Sequence, residues 1–131
     1  MEISAVVANR RDGHEASVRT GPSTRALTIP EKDVGRGSAV NGGELLMLAL
    51  ATCYCNDLFR EADRMGIPMD AVEVTAKADF PGIGLAATNI RYSATVTSPA
   101  PESVIRTLLS ETDAVAEIHN TIRTGVAVVL E

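Results

Sequence analysis

Apolar residues in the first 30 positions come in short runs cut by turn residues. From position 43 they crowd into one long stretch, and they return to alternation near position 70. Ser4 to Asn9, rich in valine and alanine, predicts a strand, and Arg10 to His14 carries the Asp-Gly signal of a hairpin. Glu15 to Thr20 reads as the returning strand, Gly21-Pro22 as the next turn, and Arg25 to Ile29 as a third strand. Residues 1–30 thus predict an antiparallel meander. Residues 31–42 follow as a polar loop, with four glycines from Pro30 to Gly43 inclusive, of the kind that lies near a site or an interface.

The stretch 43–66 predicts a central helix of roughly 34 Å at 1.5 Å per residue. Asn41 is placed to cap it, with Glu44 three positions on to complete a capping box. Gly66 supplies the C-terminal cap and Pro68 prevents resumption. Leu46, Ala49, Leu50, Cys53 and Asp57 share one face; Leu45, Leu48, Thr52, Cys55 and Phe59 share another. A helix so apolar in its first half is expected to be covered by more than one layer of structure. Its two cysteines, two positions apart, lie about 200° apart around the axis. They cannot bond to each other while the helix is intact.

Residues 67–131 predict strands and short helices. Met69 to Ala78 alternates, with Val72 and Val74 on one side and Glu73 and Thr75 on the other. After a glycine-rich turn at Phe80 to Leu85, Ala87 to Thr97 reads as the longest strand, with Ile90, Tyr92, Ala94 and Val96 on one face. Ser98 to Pro101 breaks it. Glu102 to Ser110 then predicts a helix with Val104, Ile105, Leu108 and Leu109 as its stripe, and Thr112 to Asn120 a further helical turn or two. Gly125 separates these from an expected closing strand, Val126 to Leu130. The order is that of an α+β fold, without the strand–helix alternation of a dinucleotide-binding sheet.

Composition narrows the function classes. The chain has 131 residues, is 45% hydrophobic and 22% charged, and carries a net charge of −5. That length predicts a single domain over 1–131, and the charge argues against nucleic acid or an anionic membrane as partner. The longest apolar run, Leu45 to Ala51, is too short for a membrane span. The first residues lack the basic-then-apolar order of a signal peptide, so a cytoplasmic location is expected. Two cysteines and two histidines in no recognised ligand spacing predict no metal and no cofactor. With two Phe, two Tyr and no Trp, the apolar layers are thin, and part of the core is expected to come from a partner subunit.

Gly43-Glu44-Leu45-Leu46, then Ala49 and Cys53, then a charged turn ending at Met65-Gly66-Ile67, resembles the central helix of the OsmC/Ohr family. Ile118-His119-Asn120-Thr121-Ile122, with Gly125-Val126 after it, resembles that family's second motif, Cys-Pro-Val-X-X-Thr-Leu followed by a glycine. The resemblance implies an intertwined homodimer, with the antiparallel sheets outside long central helices and pockets at the subunit interface. It also implies stress-response peroxidase chemistry, in which one cysteine attacks a hydroperoxide and a second resolves it. The attacking cysteine falls on Cys53. The resolving cysteine falls on Ala116 and its neighbouring proline on Glu117. The peroxidases' glutamate falls on Gly43; Glu44 fits instead the less characterised YhfA-like branch. The family's arginine comes from the N-terminal strands and loop, where Arg19, Arg25 and Arg36 all qualify.

The candidate site is therefore Cys53 with Glu44, Arg19 and Arg25. Each has a plainer reading beside it. Cys53 is either a nucleophile, which needs a lowered pKa, or a small buried hydrophobe. Cys55 reads as structural. Glu44 is either the orienter of an arginine or a capping carboxylate. Asp57 and Arg60, three apart, read as a structural ion pair. His119 reads as a core or surface imidazole before it reads as a base, His14 as solvated, and Asn120 and Thr121 as bonded to local backbone. Three functions follow. The first is a divergent family member whose interface pocket near Cys53 binds a small apolar or thiol-reactive molecule without the two-cysteine cycle. The second is a one-cysteine hydroperoxide peroxidase or thiol-dependent reductase fed by an external thiol. The third is a structural or partner-binding dimer.

Overall fold

The computed structural model describes all 131 residues, which divide into two compact units, Met1–Glu44 and Leu45–Glu131. In the first, β1 (Ile3–Arg10), β2 (Gly13–Thr20) and β3 (Ser23–Leu27) form the expected antiparallel meander, in the order β1-β2-β3. Arg10 pairs with Gly13, so the first turn is Arg11-Asp12, one residue earlier than the Asp-Gly signal suggests. Thr20 pairs with Ser23 across Gly21-Pro22, with Gly21 at φ 53°, a conformation glycine adopts without steric cost. That tight turn starts the third strand two residues earlier than its apolar content predicts. Ala16 on the middle strand is the one buried apolar residue of this unit; Ile3, Val6, Val7 and Leu27 are exposed.

The register fixes which side chains share a side. Arg25 pairs with Val18, which pairs with Ala5, whereas Arg19 pairs with Thr24 and Ser4. Successive residues of a strand point to opposite faces. Arg19 and Arg25 therefore stand on opposite faces of the meander.

The long helix α1 (Gly42–Met65) starts and stops where its sequence signals place it. Asn41 and Glu44 close a reciprocal box: the Asn41 N–H donates to Glu44 Oε2 at 2.8 Å, and the Glu44 N–H donates to Asn41 Oδ1 at 2.9 Å. At the other end Gly66 takes φ 68°, and the Ile67 N–H reaches back to the Ala62 carbonyl at 2.8 Å, a left-handed cap.

In the second unit, β4 (Ala71–Asp79) and β5 (Thr88–Thr97) form an antiparallel hairpin. Its inner face, with Val72, Val74, Tyr92, Ala94 and Val96, packs on a core built from Tyr54, Leu58 and Ala62 of α1, Ile67, and Leu108 and Ala116 from later in the chain. The register shifts between Lys77 and Asp79, opposite Asn89 at φ 52°, and there the Asn89 amide donates to Asp79 Oδ2 at 2.8 Å. Helix α2 (Glu102–Val115) runs five residues longer than its apolar stripe predicts. The Thr112 hydroxyl is satisfied by the Leu108 carbonyl at 2.7 Å, so the polar stretch does not interrupt the helix. Ala116, in extended conformation, separates α2 from α3 (Glu117–Thr124), which Gly125 closes at φ 64°.

One expectation fails. Residues 126–130 form no strand, because an extended segment becomes one only by pairing, and no strand of this chain pairs with it. Within the single chain the apolar first half of α1 is not covered on most sides. Leu48 is 60% exposed, and the buried stripe begins at Leu50 and runs through Tyr54, Asp57, Leu58, Glu61 and Ala62. The charged half is thus the better buried one. No helix is long and apolar enough to cross a membrane.

Candidate functional site

Because Cys53 and Asp57 lie one helical turn apart on α1, their side chains meet. The Cys53 thiol donates to Asp57 Oδ2 at 3.5 Å and lies 3.9 Å from Glu117 Oε2 at the start of α3. Asp57 is 4% exposed on the buried stripe, where a carboxylate needs a cation. Arg60 supplies it at 2.7 Å and also contacts Glu61 at 3.3 Å and Glu117 at 3.9 Å. The chain of pairs continues from Glu61 to Arg64 at 2.7 Å and on to Glu111 at 2.8 Å. The predicted Asp57–Arg60 pair is present, as one link of a longer network.

These neighbours set the thiol's character. Burial, then the charge of Asp57, the hydrogen bond to it and the charge of Glu117 push Cys53 above an ordinary thiol; the influence of the Ile118 backbone N–H pulls it partway back. An attacking thiolate needs the opposite shift. The arginine that shares these carboxylates, Arg60, is held by them. Cys53 and Cys55 are both free thiols on an unbroken helix.

The other sequence candidates lie in the first unit. Glu44 is engaged in the helix-capping box and makes no ion pair. Arg19 folds back to donate to the Gly21 carbonyl at 2.6 Å, and Arg36 donates to Asn9 Oδ1 at 3.0 Å. Arg25 makes no side-chain hydrogen bond or ion pair. Three metal-capable groups do converge, Cys53, Asp57 and Glu117, with ligand atoms within 4.8 Å of one another. Spacing along the chain gives no hint of this, since Glu117 is 64 positions from Cys53. The Arg60 guanidinium already neutralises both carboxylates, so the set fits an ion pair better than a cation.

His119 is the residue that sequence reasoning undervalued. It is 3% exposed, and neither ring nitrogen has a hydrogen-bond partner. Its ring meets Tyr92 edge-on at 4.4 Å and lies 5.7 Å from Tyr54. Burial, and then Arg123, hold its pKa below the ordinary imidazole value. Beyond it, the Asp113 carboxylate accepts from the Tyr92 hydroxyl and from Arg123 Nη2 at 2.6 Å. Leu50, Ile90, Tyr92, His119, Ile122 and Arg123 line a half-open cavity of about 110 Å³.

A long capped helix, an antiparallel hairpin packed on it, and a thiol on that helix facing the start of a C-terminal helix define an OsmC-type α+β protein. The sequence pattern of the OsmC-like protein family matches residues 35–131, and the chain belongs to that family. Among curated proteins none matches the chain. Several solved structures share the fold. An OsmC-like protein from Mycoplasma pneumoniae is 18% identical with a TM-score of 0.66, over 93% of this chain and 86% of that one. An organic hydroperoxide resistance protein OsmC from Legionella pneumophila is 18% identical with a TM-score of 0.62, over 94% and 90%. An organic hydroperoxide resistance protein from Elizabethkingia anophelis, with thiocyanate bound, is 16% identical with a TM-score of 0.63, over 94% and 89%.

Proposed function

We propose that this protein is a divergent, YhfA-like member of the family that has left the two-cysteine peroxidase cycle and binds a small apolar or thiol-reactive molecule in a pocket near Cys53. The observation that carries this reading is the setting of the thiol, hydrogen-bonded to one carboxylate and beside a second. Both carboxylates favour the protonated, unreactive form. Ala116 stands where the family's resolving cysteine falls, which leaves a sulfenic acid no internal thiol to meet.

The pocket is completed in a cytoplasmic homodimer whose subunits each act as one domain. Support for the dimer comes from exposed apolar residues on the meander, on the first half of α1 and along residues 126–130. In that dimer an N-terminal arginine faces Cys53, with Glu44 nearby. Since Arg19 and Arg25 stand on opposite faces, only one of them takes that place.

What favours the alternative, a one-cysteine peroxidase, is the Ile118 backbone N–H, whose influence lowers the Cys53 pKa against that of the carboxylates. The two readings separate on exposure to one equivalent of cumene hydroperoxide with dimedone as sulfenic-acid trap, followed by mass spectrometry. The binding reading expects Cys53 to be trapped no faster than Cys55. Rapid, selective trapping at Cys53 overturns it in favour of the peroxidase. Sedimentation velocity tests the dimer, and a monomer at micromolar concentration would refute it.

A further inference from the structure

We propose that α3 is an acid-released cover over Cys53, held on the core by His119 and let go when that imidazole takes up a proton. The inference holds whether Cys53 binds a molecule or reacts with one.

Only one side chain of α3 is buried, and it is this histidine. Both of its ring nitrogens are sealed from solvent and have no partner. The neutral ring packs against Tyr92 and Tyr54 and carries no charge. An imidazolium carries one, with two N–H donors to satisfy, and an unpaired buried charge is costly.

The polar groups around the ring are already engaged. Tyr54 and Asp57 face it from α1, Tyr92 from β5, Asp113 from α2 and Arg123 from α3 itself. The Tyr54 hydroxyl donates to the Leu109 carbonyl at 2.7 Å, and Asp57 takes up Arg60 and the Cys53 thiol. Asp113 takes up Arg123 and the Tyr92 hydroxyl. Burial and Arg123 outweigh the two carboxylates, so the docked ring resists protonation. The ring meets water by leaving the core.

The helix can leave as one piece. Ala116, in extended conformation, precedes it, and Gly125 in the left-handed region follows it. Its close polar ties, Arg123 to Asp113 at 2.6 Å and the Asn120 amide to the Ala114 carbonyl at 3.0 Å, run to α2. Toward α1, Glu117 makes only 3.9 Å contacts with Arg60 and with the Cys53 sulfur. Release therefore withdraws Glu117 and uncovers the thiol.

The test is hydrogen–deuterium exchange on the full chain from pH 7 to pH 5, corrected for the intrinsic pH dependence of amide exchange. Protection within α3 should fall below about pH 6.5, by up to tenfold per unit, because the released ring takes up a proton that the docked ring refuses. Helix α1 and the β4–β5 hairpin should keep their protection. Labelling of Cys53 by 4,4′-dithiodipyridine, divided by its rate in the urea-unfolded chain at each pH, should rise in parallel while Cys55 stays level. His119→Leu should flatten both profiles. Glu117→Gln, at an exposed position, should leave the α3 profile unchanged; it carries the comparison if the leucine variant fails to fold. Protection of α3 that holds to pH 5 overturns the proposal. So does a loss shared equally by α1, a slope that persists in a folded His119→Leu chain, or one that Glu117→Gln removes.

Discussion

Cys53 and His119 are partly or fully buried groups with chemistry to offer, and their surroundings are opposite. Cys53 is crowded, with Asp57 accepting from it and Glu117 close by. His119 is starved, packed against two tyrosine rings with no partner for either nitrogen. Residue type alone makes the cysteine the reactive group and the histidine a bystander. Neighbours invert that order: the thiol's carboxylates quiet it, and the imidazole is left with unmet bonding capacity beside a cavity.

The hydrophobic core can be broken first. Leu58 is fully buried in the hydrophobic cluster, and Leu58→Ala should cost about 2–5 kcal/mol in chemical denaturation. A smaller loss would mean that the site collapses to fill the hole. Asp113→Ala acts on the His119 side alone. It removes the acceptor of the Tyr92 hydroxyl and the partner of Arg123, and should cost about 1–3 kcal/mol with Cys53 alkylation unchanged. A matching change in Cys53 alkylation would merge the two regions into one network. Asp57→Asn sharpens the contrast from the other side. It removes the charge that helps hold the thiol up, so the pH profile of iodoacetamide alkylation at Cys53 should move to lower pH while Cys55 stays put. An unmoved profile would assign the thiol's state to burial alone.

Much of this was legible in the chain. The capping box of Asn41 and Glu44 and the stop at Gly66 are local signals, and local signals fix helix ends. Cys53 with Asp57, and Asp57 with Arg60, follow from helical spacing in the same way. Glu117 beside Cys53 does not, because that meeting depends on where α3 docks. Residues 126–130 read as a strand because a run of β-branched and apolar residues favours extended chain, while pairing depends on a free edge elsewhere. His119 was invisible for a related reason. Nothing in Ile118-His119-Asn120 says that Tyr54 and Tyr92, from two distant elements, will close over the imidazole.

The gentlest test of the contrast uses acid. Burial first, then Arg123, lowers the His119 pKa below its ordinary 6.5, with Asp113 and Asp57 pulling weakly the other way. Its folded value is thus below its unfolded value. Above about pH 6.5 both states are neutral there and stability is full. As pH falls through that value, the unfolded chain takes up a proton that the folded chain refuses, and stability is lost toward the folded pKa. The carboxylates with lowered values, Asp113 and Glu61, act in a lower window. Urea unfolding between pH 7 and pH 5 should therefore isolate the imidazole. His119→Leu should flatten that slope, while at pH 7 it should change stability little, since it trades two unpaired nitrogens for an apolar chain. If the slope survives the substitution, acid sensitivity arises elsewhere and His119 has a partner after all.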